Sequence, residues 1–184
     1  TPGYLLFVGT LEPRKNLPGL LTAYRILLDR QEMPPPLVMA GSRGWLYEEI
    51  YARVESLRLE HHVRFVYDVT DDDLPVLYNG AALLVMPSFY EGFGLPALEA
   101  QACGTPVVIS DRGSLPEVAG AAAVIVNPDD PEDIAAGIAR VLGDPDLQAA
   151  LRAAGPAHAA HFTWEQAARE TLSVYRRVFQ STRR

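Results

Sequence analysis

A single cysteine, Cys103, stands among the 184 residues, so no disulfide framework holds the chain together and nothing in it requires an oxidising compartment. It closes an apolar helix ahead of Gly104 and reads as a small buried hydrophobe, not a nucleophile. Long hydrophobic runs are missing as well: none approaches the ~18 residues of a membrane span, and no signal-peptide pattern opens the sequence. A cytoplasmic protein is expected. A basic excess is also absent, since 16 Lys and Arg face 23 Asp and Glu for a net charge of −7, which argues against a general nucleic-acid binder. Any phosphate site must then be local. His61, His62, His158 and His161 have no metal-ligand spacing with cysteine or carboxylates and are expected at the surface. No D-x-D-like pair with a plausible partner ends a strand, and Asp71-Asp72-Asp73 reads as a helix N-terminus exploiting the dipole, so no metal is expected.

What remains is a well-supplied core, 48% hydrophobic with 21% charged residues, at a length that suits one domain. Apolar runs bounded by turn residues predict strands at 4–8, 37–40, 63–66, 82–86, 106–109 and 122–126. Between and after them helices are predicted at 17–30, 45–57, 71–79, 95–103, 132–142, 145–153 and 164–180, with a short turn at 114–119. Strict strand–helix alternation argues an α/β, Rossmann-like, three-layer domain with a six-stranded parallel sheet. Right-handed crossovers favour the order 3-2-1-4-5-6. A ligand crevice then opens where strands 1 and 4 part.

The stretch Pro87 to Pro106, PSFYEGFGLPALEAQACGTP, follows strand 4. Gly92 and Gly94 let the backbone turn tightly, and Pro96 fits a first helical turn, so the free N–H groups of the helix face the carboxyl edge of the sheet. That is an anion site. Glu91 and Glu99 flank it. Carboxylates there make sense only where each meets sugar hydroxyls, from which they accept strong hydrogen bonds. The plainer reading keeps both as ordinary loop and helix carboxylates. After strand 1, Gly9-Thr10-Leu11-Glu12-Pro13-Arg14-Lys15-Asn16 offers a second cradle, with Arg14 and Lys15 expected in an exposed loop. It lacks the G-x-x-x-x-G-K-[ST] spacing of a P-loop NTPase. Arg43 in the Gly41–Gly44 turn reads either as a solvated charge or as a nucleotide or interdomain contact. Ser114 and Glu117 could form a capping box, and Thr70 or Asp71 a helix N-cap ahead of which Val69 stands exposed.

The ordered string Pro87-Ser88, Glu91-Gly92-Phe93-Gly94-Leu95-Pro96, Glu99-Ala100 and Gly104-Thr105-Pro106-Val107-Val108 resembles the E-x7-E signature of retaining glycosyltransferases of the GT-B fold, family 4 (group 1). The resemblance runs from Tyr4 to the last helix. It implies that Glu91 lies beside the transferred sugar, that Glu99 holds the ribose hydroxyls, and that the N–H groups of Phe93, Gly94 and Leu95 hold sugar and diphosphate. The Gly9-to-Lys15 loop resembles the family's glycine-to-lysine motif, which places Lys15 on the donor diphosphate. Many members carry an arginine directly after the glycine; here Thr10 stands there, and Arg14 is the candidate to supply the charge. Val69 falls on the loop beside the base, and Gly113 and Glu117 on a G-x-x-P-E string that supports the sugar pocket.

The implied protein is the C-terminal, donor-binding half of a two-domain enzyme, the whole of 1–184 forming one donor domain and the N-terminal acceptor domain lying outside this chain. The abrupt entry of Thr1-Pro2-Gly3 into the first strand is what a cut at an interdomain linker would look like. The expected reaction transfers a hexose, mannose-type or glucose-type, from a nucleoside-diphosphate sugar to a saccharide or lipid-linked acceptor. No cofactor, metal or nucleic acid takes part, and peripheral contact with the inner face of the cell membrane is an expectation for the full-length enzyme. A nucleotide-sugar 2-epimerase of the same fold would need further pocket carboxylates and histidines that the sequence does not offer. A non-catalytic nucleotide-binding or interaction module is the remaining alternative.

Overall fold

The computed structural model describes residues 3–30 and 32–181, so Thr1 and Pro2 of the expected linker lie outside it. Strands β1 (Leu5–Val8), β2 (Leu37–Ala40), β3 (Val63–Val66), β4 (Leu83–Met86), β5 (Val107–Ser110) and β6 (Val124–Val126) form one parallel sheet. Its order is β3-β2-β1-β4-β5-β6, as the alternation of elements predicts. The helices are α1 (Leu17–Asp29), α2 (Glu48–Ser56), α3 (Leu74–Gly80), α4 (Leu95–Ala102), α5 (Leu115–Ala119), α6 (Pro131–Gly143), α7 (Pro145–Ala159) and α8 (Trp164–Ser181).

Because side chains alternate across a strand, the central strands feed two separate cores. Leu5, Phe7, Leu83, Val85 and Val108 pack with α1, α2 and α6. On the other face Leu6, Val8, Leu84, Met86, Val107 and Ile109 pack with α3, α4 and α5. This sandwich is the Rossmann-like fold expected from the sequence.

Several boundaries move, each for a local reason. Helix α2 begins at Glu48, not 45, because Leu46 takes φ 54°, outside the helical region. Helix α3 begins at Leu74, not 71: the Asp73 carboxylate accepts hydrogen bonds from the Thr70 N–H at 2.9 Å and hydroxyl at 2.6 Å, and this local turn displaces the first helical turn. A 3-10 turn, Gly120–Ala122, takes the start of the predicted sixth strand. Helix α7 runs past 153 and through Pro156 to Ala159. Packing overrides the proline here, since α7 lies so close to α4 that a Cβ on Gly155 would come 2.8 Å from the Gln101 carbonyl oxygen. His158, expected at the surface, is instead half-buried with its Nε2 2.7 Å from the Val118 carbonyl oxygen. Cys103 is partly buried against the α3–α5 core.

Candidate active site

Strands β1 and β4 are neighbours, but their following helices, α1 and α4, leave on opposite faces of the sheet. The loops beyond their carboxyl ends therefore part around a crevice. The β1 loop is fastened on one side to the β2 loop by hydrogen bonds from Gly9 N to Ala40 O, Leu11 N to Ser42 O and Gly44 N to Leu11 O, at 2.9, 2.9 and 3.1 Å. On the other side Phe89 N donates to Arg14 O at 2.8 Å, and Asn16 Nδ2 to Pro128 O at 2.7 Å. Arg43 is exposed and lies over the rings of Tyr47, Tyr51 and Tyr67, 5.4, 6.0 and 4.9 Å from their centroids.

Glu91 is the hub. Its Oε1 accepts from Lys15 Nζ at 2.6 Å and from Ser88 Oγ at 2.8 Å, and its Oε2 accepts from Arg14 Nη1 at 2.8 Å. Arg14 also donates to the Tyr90 carbonyl at 3.0 Å and pairs with Glu12 at 2.6 Å. Contrary to the expectation of an exposed loop, Lys15 is only 5% exposed, ending a 3-10 turn (Pro13–Lys15) that folds its side chain inward onto Glu91. Burial pushes the Glu91 carboxyl up. The hydrogen bonds from Lys15, Arg14 and Ser88 with the Lys15 charge outweigh it and hold the group below the usual carboxylate range.

The backbone of Glu91 is held as firmly as its side chain. Ser114 Oγ donates to the carbonyls of Glu91 at 3.0 Å and Phe93 at 2.8 Å, and the capping box that it could have made with Glu117, one of two readings open to it, does not form. Gly113, at φ 57°, lies so near that a Cβ there would come 2.8 Å from the Glu91 carbonyl oxygen. Gly94, at φ 98°, ends the loop as the N-cap of α4. Around this cap the N–H groups of Phe93, Gly94 and Leu95 donate to no group among the described residues, which leaves three amides at the N-terminal end of α4 for an anion.

Glu99 lies one turn into α4 and apart from the Glu91 cluster, its Oε2 accepting from Tyr78 Oη at 2.7 Å. Val69, expected to stand exposed beside a base, is half-buried against the α3–α5 core. Thr10 lies half-buried in the β1 loop, its methyl 2.7 Å from where a Cβ on Gly44 would be. The structure thus gathers Arg14, Lys15 and Glu91 into one cluster and sets Glu99 separately on α4. Ser88, Ser114 and Tyr78 are polar partners that sequence reasoning did not assign. Ser88 had one sequence cue, its place before Glu91 in the motif string, whereas the reach of Ser114 and Tyr78 depends on how loops and helices pack. Among the described residues no group of three or more His, Cys, Asp or Glu side chains is placed to hold a metal ion.

The Rossmann-like sheet carries this cation–carboxylate cluster at its switch point, and the chain belongs to the family of glycosyl transferases group 1, whose model matches residues 1–158. It is 45% identical over 174 residues to the O-antigen chain mannosyltransferase B of Escherichia coli, covering 95% of this chain and 46% of that protein. It superposes on the sucrose-phosphate synthase of Thermosynechococcus elongatus with a TM-score of 0.85 at 32% identity, covering 98% of this chain and 46% of that one. The C-terminal domain of a group 1 glycosyl transferase from Francisella tularensis shares the fold with a TM-score of 0.75 at 22% identity, covering 87% and 86% of the two chains. The chain thus spans less than half the length of the mannosyltransferase it matches.

Proposed function

We propose that this chain is the donor-binding and catalytic half of a retaining glycosyltransferase that moves a hexose from a nucleoside-diphosphate sugar to a saccharide or lipid-linked acceptor. The observation that carries the reading is the Lys15–Glu91–Arg14 cluster, together with the three undonated amides at the start of α4. Two cations held by one carboxylate, with Glu12 on Arg14, leave little net charge. Their N–H donors outnumber the acceptors they meet, since a lysine has three and an arginine five, so donors are left over for a ligand. A diphosphate takes these together with the Phe93, Gly94 and Leu95 amides. As the sugar departs, negative charge grows on the diphosphate, and a fixed set of donors stabilises it without reorganising and without a metal.

Glu91 then faces the sugar ring as positive charge develops there. Its two oxygens already accept three hydrogen bonds, two of them from cations, which makes it a fixed electrostatic partner and a poor nucleophile. Glu99, on the helix, receives the ribose hydroxyls. Similarity to an O-antigen chain mannosyltransferase favours a mannose-type donor and polysaccharide synthesis. The acceptor would be held by a further domain outside this chain. A thermal-shift and calorimetry panel of UDP, GDP, ADP, their sugars and the bare nucleosides tests the reading. One diphosphate series should bind clearly better than its nucleoside. Equal affinity for nucleoside and diphosphate would remove the cradle.

A further inference from the structure

Tyr78 belongs to neither loop of the site, yet its hydroxyl donates to Glu99 Oε2 at 2.7 Å. We propose that Tyr78 is a positioning residue for the donor ribose: it locks the Glu99 carboxylate in one orientation with Oε1 left to accept a ribose hydroxyl. The inference rests on the reading that Glu99 takes the ribose.

A glutamate on a helix surface has three free torsions, and one that must grip a hydroxyl loses that freedom on binding unless something has already fixed it. Tyr78 is built to fix it. Its ring is 1% exposed within the α3–α5 core, and its backbone carbonyl accepts from Thr105 Oγ1 at 2.7 Å, so neither ring nor backbone can follow a moving carboxylate. Burial first, and the bond to Glu99 second, push the phenol above its ordinary value, so it is a donor at neutral pH. The bond also fixes which oxygen is used. Oε2 is engaged by the phenol, and Oε1 has no partner among the described residues. Glu91 is held from three sides by groups of the site itself, whereas Glu99 is held from behind by a residue of the core, which leaves its front open.

Calorimetry with the best-binding nucleoside diphosphate and its 2′-deoxy and 3′-deoxy forms tests this on the 184-residue chain, as wild type, Glu99→Ala and Tyr78→Phe. Wild type should prefer the ribose form by about tenfold over at least one deoxy form, the scale of one lost hydrogen bond to a charged group. Glu99→Ala should abolish the preference. Tyr78→Phe keeps the buried ring and so the fold, and should cut the preference to about threefold or less, a ratio that a general loss of stability would leave unchanged. A full ribose preference in Tyr78→Phe, with Glu99→Ala losing it, overturns the positioning role and leaves the ribose reading standing. No preference in wild type, or one that survives Glu99→Ala, overturns the ribose reading and the inference with it.

Discussion

Lys15 and Glu91 meet at 2.6 Å with each side chain only 7% exposed, and such a pair behaves unlike a surface salt bridge. Removing one member leaves the other buried without its counter-charge. Lys15→Ala should therefore weaken diphosphate binding and also destabilise the fold by about 2–3 kcal/mol, reduced from the full cost of an orphaned charge because Arg14 and Ser88 still serve Glu91. The double variant Lys15→Ala with Glu91→Gln should recover part of that loss, and urea unfolding of wild type, the two single variants and the double measures it. If Lys15→Ala unfolds like wild type, the pair carries no stability. The same cluster sets a pH dependence. Glu91 is held below its unfolded value, so its stabilisation is complete above about pH 4.3 and is lost as pH falls through the lower folded value. The stability gap between wild type and Glu91→Gln should be widest near neutrality and close in acid. A gap that does not change from neutral pH into acid would show that the carboxylate is not titrating as described.

At the scale of elements, the site depends on backbone closeness more than on side-chain number. Gly113 backs directly onto Glu91, and a methyl there would meet the Glu91 oxygen at 2.8 Å while φ stays at 57°. Gly113→Ala should cost about 1–3 kcal/mol and displace Glu91, so its loss of diphosphate affinity should exceed that of a substitution equally destabilising but remote. Normal binding in a folded Gly113→Ala would mean the β5 loop does not support the site. Helix α8 is the opposite case: it has no buried residue, and Trp164, Leu172 and Tyr175 stand exposed along it. Deleting 164–184 should lower Tm by only a few degrees, since almost no apolar area is removed from the core; a collapse of the fold would show that α8 is part of it.

The same contrast explains what could be read from the sequence. The six strands, their order and the Gly94–Leu95 helix start were legible because apolar runs and turn residues are local signals, and right-handed crossovers leave few topologies. Asp130 and Asp144 cap α6 and α7, accepting from Glu132 N and Leu147 N at 2.9 Å. The burial of Lys15 was not legible, because its depth comes from Glu91, 76 residues away. Ser114 misled for a similar reason: its hydroxyl had a local partner available and took carbonyls from the β4 loop instead. Continuation of α7 through Pro156 depended on contact with α4, which no single segment encodes.

Taken as a whole, the described residues form a sheet covered on both faces, with buried central strands and a core on each side. Folding of this chain alone is therefore expected, as a single cooperative transition. Donor binding is expected as well, because the cluster on Glu91, the α4 amides and Glu99 all come from within it. Transfer to an acceptor is a separate matter. Under the proposed function the acceptor hydroxyl must be set against the departing sugar, and positioning of two reactants accounts for a large share of such a rate, roughly 7–11 kcal/mol of barrier in well-oriented systems. The isolated chain should then bind the nucleoside-diphosphate sugar with the affinity of a protein extended by the acceptor domain that the proposed function calls for, yet release hexose to an oligosaccharide or lipid-linked acceptor at a rate lower by several orders of magnitude. Parallel calorimetry and a radiolabelled transfer assay on both proteins separate the two steps. Efficient transfer by the 184 residues alone would show that acceptor positioning is already built into this chain.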